Sequence, residues 1–577
     1  MKDNHETPHP QGYESTPTED ESEQKSFIEE IKIYFRNYCN HTGIHGFQYF
    51  GQHRTLIEKL CWILVFMATF SACSFCIYQI YEKWATSPVI VSLATKETPI
   101  YQIPFPAVTI CPTIKFSQKC FDTGSLSTKK VKGGKLSFLQ KKFLGYSRSL
   151  CKAYHSNSHE NFKQEDYYND DFFEKLLKCS PFTGGNFSVK FMSRRNIEFS
   201  EVFHPIITED GMCFAFNMMN MKELVSDEYA LYPGLGEADE TSSWIPQVGY
   251  PEDASLETYP RRALLSGGLN SLEITMGHLE SDIDYICNGR EQGYKVLLHI
   301  PSRLARPALD YILVPFNKAT TITVIPEMMS TSSRVKKYNS ETRNCFFPGE
   351  KDLRFFKVYT KTSCDMECLS NYTLNFCGCV AFWMPRLNTT KMCGPAKLNC
   401  VIIARENYDL SKLRDKLEEE RLKRKLAAAK MNKTIESLTF WETHEHNAMN
   451  AEIESLEDQI DSVKSKCNCI PICSDLTYIG TATSLDIEQE QKGKNTLHSN
   501  KSTFGLTQIT IFLKTNEIFT RERNELYGLT DFISNFGGLL GLFSGFSILS
   551  FMEIVYYLSF RIIGNLKKFG RWYGTEE

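Results

Sequence analysis

Two long apolar segments stand out along a chain that is otherwise polar or mixed. The first, residues 60–81, carries no charged side chain and is long enough to cross a bilayer as a helix. The second, residues 526–563, is charged only at Asp531, Glu553 and Arg561. No other stretch reaches the roughly 18 consecutive apolar residues that a spanning helix needs. The pattern therefore predicts two membrane segments with a large polar region between them.

The second segment is too long and too rich in glycine to be a plain span. A fully helical stretch of this length would measure about 57 Å, whereas the hydrocarbon core of a bilayer is about 30 Å thick. Glycine loosens a helix, and polar groups within hydrocarbon usually face a cavity or a partner. The segment is therefore interpreted either as a helix that lines a wet path or as an anchor with a packing face. Its glycines are Gly528, Gly537, Gly538, Gly541 and Gly545.

Positive charges near the ends of the two segments predict that both termini are cytoplasmic. Arg54 and Lys59 precede the first segment, and Lys567, Lys568 and Arg571 follow the second. The first 25 residues are polar and acidic, so the first span is interpreted as an uncleaved signal anchor. The predicted domains are a cytoplasmic N-terminal region (1–59), a first span (60–81), an extracellular domain (82–525), the second segment (526–563) and a cytoplasmic tail (564–577).

The distribution of cysteines supports an oxidising location for the region between the spans. Of the 20 cysteines, Cys39, Cys61, Cys73 and Cys76 lie in the N-terminal region or the first span, and the other 16 lie between the spans. A dense, even set predicts a disulfide framework. Glycosylation sequons occur in the same region, at Asn186, Asn371, Asn388, Asn432 and Asn500.

Short β-branched or alternating runs between the spans predict strands, and two apolar stripes predict helices. The predicted strands are 89–93, 105–111, 293–300, 319–325 and 507–514, the last leading almost directly into the second apolar segment. The stripes are interpreted as two antiparallel helices closed by disulfides. They consist of Leu410, Leu413, Leu417, Leu422 and Leu426, and of Ile453, Leu456, Ile460 and Val463.

Composition and motifs exclude several classes of function. The net charge of −4 argues against a nucleic-acid partner, which needs concentrated positive charge. The chain has no HExxH, GxSxG or P-loop motif, so an ectoenzyme is disfavoured. No cofactor and no metal site are expected. A disulfide-rich receptor or adhesion protein with two anchors stays open on these grounds.

Several motifs resemble those of one family. They are His45-Gly46 before the first span, FPAVTIC at 105–111, the cysteine-rich run 344–386, CNCIPIC at 467–473 and GLFSGFSILSFMEI at 541–554. On these motifs the chain resembles the epithelial sodium channel/degenerin family, most closely its insect pickpocket branch. The resemblance implies an α+β membrane protein with two transmembrane helices, and a disulfide-rich ectodomain of β palm and core with helical finger, thumb and knuckle. It also implies a trimer, which agrees with the need for several chains to enclose a conduit between so few helices.

The resemblance further implies disulfide pairs. Cys120, Cys151, Cys179 and Cys287 are left over, and three pairings among them stay open. The implied pairs are Cys111–Cys213, Cys345–Cys473, Cys364–Cys469, Cys368–Cys467, Cys377–Cys400 and Cys379–Cys393.

Pore residues are implied in the same way. Gly545, Phe546 and Ser547 match the selectivity motif, where backbone carbonyls replace part of an ion's water shell. Glu553 matches an acid below that motif and would give a cation-attracting ring. The implied gating residues are Ser534, at the position where the family keeps a small side chain, its neighbour Asn535, Trp84 at the outer end of the first span, and the cytoplasmic pair His45 and Gly46.

The expected function is therefore that of a subunit of a sodium-selective, amiloride-sensitive trimeric cation channel in the plasma membrane. It would conduct Na⁺ as a homotrimer or as a heterotrimer with related subunits, under a stimulus such as acid, alkali, a peptide, an odorant, osmotic change or force. The alternative is a non-conducting, disulfide-rich membrane receptor or accessory subunit. ATP-gated trimers share the topology but have a different cysteine pattern.

Overall fold

The computed structural model describes most of the chain in two compact units. The terminal unit joins Met1–Pro88 to Glu525–Glu577, and the central unit is Val89–Asn524. Within them the structure describes residues 27–51, 54–86, 89–151, 167–168, 171–181, 187–192, 194–232, 234–237, 241–245, 248–255, 257–437, 451, 453–459, 467–487, 504–526 and 528–573.

The helices of the described residues are numbered in chain order. They are α1 Phe27–His41, α2 Gln48–Gly51, α3 Leu56–Thr86, α4 Thr123–Val131, α5 Phe138–Leu150, α6 Asp171–Lys178, α7 Phe199–Val202, α8 Met221–Leu224, α9 Tyr285–Asn288, α10 Ser340–Arg343, α11 Lys361–Cys377, α12 Leu398–Ser437, α13 Leu529–Ser544, α14 Ile548–Leu558 and α15 Phe560–Phe569. A further helical stretch covers 453–459.

The strands form two sheets, both in the central unit. They are β1 Val89–Pro99, β2 Ala107–Pro112, β3 Phe187–Phe191, β4 Arg194–Ile197, β5 Phe203–Thr208, β6 Gly211–Phe216, β7 Leu272–Leu279, β8 Gly293–His299, β9 Ile312–Pro315, β10 Lys318–Thr331, β11 Asp475–Asp486, β12 Phe504–Leu513 and β13 Glu517–Glu525. The larger sheet has the order β1-β13-β10-β12-β7-β3-β4, with β11 also paired to β10, and the smaller has the order β5-β6-β2-β8-β9.

In the terminal unit, two stretches are apolar enough to be considered as membrane spans. Among the described residues, α3 is the one single helix that is long and apolar enough to cross a bilayer. The pair formed by α13 and residues 548–569 meets the same test only when both halves are counted together, and their axes differ by 71°. The first helix is longer than the predicted 60–81 at both ends, and the second segment continues as helix beyond 563 to Phe569.

In the central unit, strands of both sheets supply the core. Strand β2 is buried at every position, and Ile322, Ile509 and Ile511 are fully buried in the larger sheet. Strand β12 alternates buried and half-buried residues, as predicted for 507–514. The prediction that it leads almost directly into the apolar segment is wrong, because β13 pairs with β10 through residues 521–523 and lies between the two in the chain.

A buried histidine joins two strands of the smaller sheet. His299 Nε2 lies 2.8 Å from Thr109 Oγ1, and its Nδ1 lies 3.0 Å from the carbonyl oxygen of Ile300. Because a carbonyl can only accept, Nδ1 carries the proton and the threonine hydroxyl donates to Nε2. Burial lowers the pKa of the His299 imidazole to about 4.

The cysteine-rich region contains helices α11 and α12, which the disulfide Cys377–Cys400 joins. Helix α11 begins where Thr360 Oγ1 accepts from the Ser363 amide at 3.0 Å, and it ends at Gly378 in the left-handed conformation. Helix α12 follows, and Leu422 packs against Leu456 of the 453–459 stretch. The predicted stripe on α12 is only partly buried, because Leu410, Leu413 and Leu417 are each more than half exposed. Ile460 and Val463 lie outside the described residues.

Eight disulfides cross-link the central unit. Six are the pairs that the resemblance implies: Cys111–Cys213, Cys345–Cys473, Cys364–Cys469, Cys368–Cys467, Cys377–Cys400 and Cys379–Cys393. The remaining two are Cys120–Cys179 and Cys151–Cys287, one of the three pairings left open by the sequence.

Of the predicted sequons, two have described side chains. Asn371 on α11 and Asn388 are exposed, as an attached glycan would require. Asn432 lies on α12, with its side chain outside the described residues. Asn186 and Asn500 also lie outside the described residues.

Candidate functional site: the break between α13 and α14

The second apolar segment breaks sharply at Gly545. This residue has φ +65°, and its amide donates to the carbonyl of Gly541 at 2.9 Å, which ends helix α13. Ser547 then starts α14 by accepting from the Ser550 amide through its hydroxyl at 3.2 Å. Because one helix stops and another starts within three residues, the carbonyls of Gly545 and Phe546 lie outside regular helical pairing, whereas that of Ser547 accepts from the Phe551 amide at 3.1 Å.

A turn from the N-terminal region lies directly against this break. The His45 amide donates to the carbonyl oxygen of Ser544 at 3.0 Å. A Cβ placed on Gly545 would lie 2.7 Å from Cγ and Nδ1 of the His45 ring. Glycine is therefore required at position 545 for two reasons. The backbone has a positive φ there, and the His45 imidazole packs against the α-carbon.

Glu553 holds the other end of the same turn. Its Oε2 accepts from the Gly43 amide at 3.1 Å and from the Thr42 hydroxyl at 3.2 Å. Gly46 completes the turn with φ +89°. Residues 42–46 are thus fixed at two points of the apolar segment, one at the break and one on α14.

Helices α1 and α2 form a hairpin that carries this turn. A Cβ on Gly51 would lie 2.3 Å from Asn40 Oδ1 and 3.0 Å from Cys39 Cβ, so glycine permits the close approach of α2 to α1. The Tyr34 hydroxyl donates to the carbonyl of Tyr557, and the ring of Tyr38 lies 5.1 Å from that of Tyr557.

The second helix of the hairpin packs on α3. The rings of Phe47 and Phe66 are 5.5 Å apart, and Tyr49 stacks on Trp62 at 3.9 Å. The hairpin therefore contacts both α3 and α14. Sequence reasoning identified His45 and Gly46 in this element but missed Thr42 and Gly43, because nothing in the local sequence distinguishes them from other loop residues.

Three of the predicted gating residues, Ser534, Asn535 and Trp84, lie on or against the first half of α13. Ser534 and Asn535 are exposed on α13. Trp84 packs its ring 5.2 Å from Phe532, and its indole Nε1 is buried without a hydrogen-bond partner among the described residues. The structure thus places Trp84 against the turn of α13 that carries Ser534, whereas Gly545, Phe546, Ser547 and Glu553 belong to the break and the helix after it.

Comparison with known proteins decides the family. The family model described as amiloride-sensitive sodium channel matches residues 38–557, which is most of the chain and includes the docked turn, the break and every disulfide. The chain belongs to the amiloride-sensitive sodium channel family. Members of this family are ion channels of the plasma membrane rather than enzymes, and they assemble as multi-subunit complexes.

Relatives within the family are distant but nearly full length. The chain is 25% identical over 541 residues to "Pickpocket protein 28" of Drosophila melanogaster, covering 91% of this chain and 78% of the relative. It is 22% identical over 563 residues to "Sodium channel protein Nach" of the same organism, covering 94% and 90%. It is 21% identical over 529 residues to "Pickpocket protein 11", covering 91% and 76%. The pickpocket-like assignment is thereby confirmed.

Proposed function

We propose that this chain is a subunit of a trimeric, sodium-selective, amiloride-sensitive channel of the plasma membrane. In this proposal α3 and the α13–α14 pair are the two spans, and both termini are cytoplasmic. The observation that carries the proposal is the break at 545–547. There the left-handed Gly545 ends one helix, Ser547 caps the next, and the carbonyls of Gly545 and Phe546 lie between the two helices inside an apolar segment.

The break has the chemistry of an ion constriction. Carbonyl oxygens that no longer pair within a helix can replace water around a small cation. In hydrocarbon such groups are costly unless they line a wet path or meet a partner. Three copies of the break around one axis would form a ring of carbonyls from Gly545 and Phe546, and rotational symmetry closes that ring.

The docked turn supports the same site from the cytoplasmic side. Because the turn at 42–46 contacts both Ser544 and Glu553, α1 and α2 would enter the inner half of the membrane beside α14. This proposal refines the assignment of residues 1–59 as simply cytoplasmic. The Glu553 side chain lies on α14 close beneath the break, so it would attract cations as well as hold the turn.

The outer half of α13 would form the gate. Ser534 is small and exposed on the single chain, so neighbouring copies can approach each other there. A larger side chain would hold the helices apart. Trp84 would couple α3 to this part of α13 through its contact with Phe532.

Recording from cells that express the chain tests the proposal. Currents are measured under a panel of stimuli, with amiloride, and with extracellular Na⁺ replaced by K⁺ or by a large organic cation. We expect an amiloride-blocked inward current that depends on Na⁺. Normal surface expression without current under any stimulus, both alone and with related subunits, would instead favour the non-conducting receptor or accessory subunit.

A further inference from the structure

Residues 570–572 turn the chain back on helix α15. Gly570 has φ +67° and its amide donates to the carbonyl of Leu566 at 3.1 Å, which terminates the helix. The buried Asn565 then donates through Nδ2 to the carbonyl of Trp572 at 3.1 Å. The chain therefore reverses direction after α15, and the backbone of Trp572 lies against the side chain of Asn565.

Trp572 contacts one face at the start of α1. Its Nε1 donates to Glu30 Oε2 at 2.9 Å. Its ring lies 6.0 Å from Phe27 and 5.6 Å from Tyr34. These three α1 residues are spaced three and four apart, so they line the same side of the helix. A hydrogen bond to a charged acceptor is stronger than one between neutral groups.

Helix α1 is thus held at both ends. Its first two turns contact Trp572, and the turn that follows its last residue contacts Ser544 at the break and Glu553 on α14. At 15 residues the helix is about 22 Å long. A helix of this length transmits a shift at one end to the other, since its own hydrogen bonds keep it straight.

We propose that Trp572 and Glu30 are positioning residues. Their contact, called the clasp below, fixes the start of α1 and thereby holds the 42–46 turn against the break. This inference rests on the proposed function, in which the break is the ion constriction. Neither residue touches the ion path. They act through α1, so their loss would alter the seating of the turn without altering the break itself.

The test is a set of variants of the purified full-length protein in lipid nanodiscs. Trp572→Ala removes the clasp, Trp572→Phe keeps the aromatic ring but loses the donor, and Glu30→Ala loses the acceptor. Glu29→Ala is the matched control, because Glu29 is an exposed acid in the same first turn of α1. The readout is hydrogen exchange of peptides covering residues 27–51, which include the Gly43 and His45 amides.

We expect Trp572→Ala to speed exchange at 42–46 by about tenfold, because it removes both the hydrogen bond to Glu30 and the ring contacts with Phe27 and Tyr34. Trp572→Phe and Glu30→Ala should each give a smaller increase, and the double variant Glu30→Ala/Trp572→Phe should be no worse than either single. Glu29→Ala should match wild type. The same Trp572→Ala variant should lower open probability at unchanged surface expression.

Each other outcome overturns part of the proposal. Unchanged exchange at 42–46 in Trp572→Ala, or an effect of Glu29→Ala as large as that of Glu30→Ala, removes the clasp. Faster exchange with an unchanged open probability removes its role in the pore. A wild-type chain that never conducts contradicts the proposed function instead, while the exchange data still decide whether the tail seats the turn.

Discussion

Replacing Gly545 with alanine is the perturbation whose effect the structure defines most closely. An L-residue in the left-handed conformation costs roughly 1–2 kcal/mol. The new methyl group would also lie 2.7 Å from the His45 ring, so the ring must move and the amide bond from His45 to Ser544 weakens. Losing that bond adds about 1 kcal/mol. The total of about 2–3 kcal/mol corresponds to a roughly 30- to 150-fold loss of the native break and of the turn packed against it.

Gly541→Ala is the matched control for this experiment. Gly541 lies one turn earlier on α13, and a Cβ built there would meet nothing within 4 Å. Alanine is the better helix former, so this variant should conduct like wild type. The assay is amiloride-blocked current and its Na⁺/K⁺ reversal potential, each normalised to surface expression.

His45→Ala separates the two parts of the cost. Without the ring there is no clash, so adding Gly545→Ala in that background should cost only the backbone part, about tenfold. Equal currents and reversal potentials for Gly545→Ala and Gly541→Ala would refute the reasoning. So would a Gly545→Ala penalty that is unchanged when the ring is absent.

Three further predictions follow from the same geometry and from the central unit. Ser534→Val should give a standing current without stimulus, while Ser534→Ala should not; a silent valine variant at normal surface expression counts against this gate. Glu553→Ala should speed hydrogen exchange at Gly43 more than Glu553→Gln does, because glutamine keeps one acceptor; equal effects would argue against the bond. The purified protein should lose stability as pH falls from about 6.5 to 4, by up to about 3 kcal/mol, because the unfolded chain binds the His299 proton first. His299→Gln should flatten the fall of melting temperature in that window, and an unchanged slope would contradict the assignment.

The apolar segments were readable from sequence because bilayer thickness imposes long runs without charge. The ends of the helices could not be predicted in this way. Helix α3 continues through Glu82 and Lys83, which interrupt the apolar run but do not break a helix. The break itself was suggested by its glycines. Which glycine carries it depends on backbone conformation, and only Gly545 among those of the segment has a positive φ.

The docked hairpin could not be read from its own residues. Helix α1 mixes charged and apolar side chains, and its decisive contacts join residues about 510 positions apart, as between Thr42 and Glu553. Strand β13 was missed for a related reason. Its second half carries the consecutive charged residues Arg521, Glu522 and Arg523, so only its pairing with β1 and β10 identifies it as a strand.

For the disulfides, the sequence predicts that bonds form but not all of the pairs. That the cysteines lie in an oxidising environment could be predicted from their number and their location between the two apolar segments. The pairing of Cys120, Cys151, Cys179 and Cys287 could not, because it depends on how α5, α6 and α9 fold around the smaller sheet. The leucine stripe on α12 predicted both a helix and its partner, since Leu422 packs against Leu456. It overestimated the buried face, because only Leu422 of that stripe is buried.

The central claim is that three copies of the 545–547 break enclose the narrowest part of a sodium path. Electron cryomicroscopy of the purified protein in nanodiscs measures this directly, as the radius along the symmetry axis. The account predicts a trimer whose constriction is lined by the carbonyls of Gly545 and Phe546, with the 42–46 turn seated beneath it. A break that faces lipid, or an assembly with no constriction at that level, would contradict it.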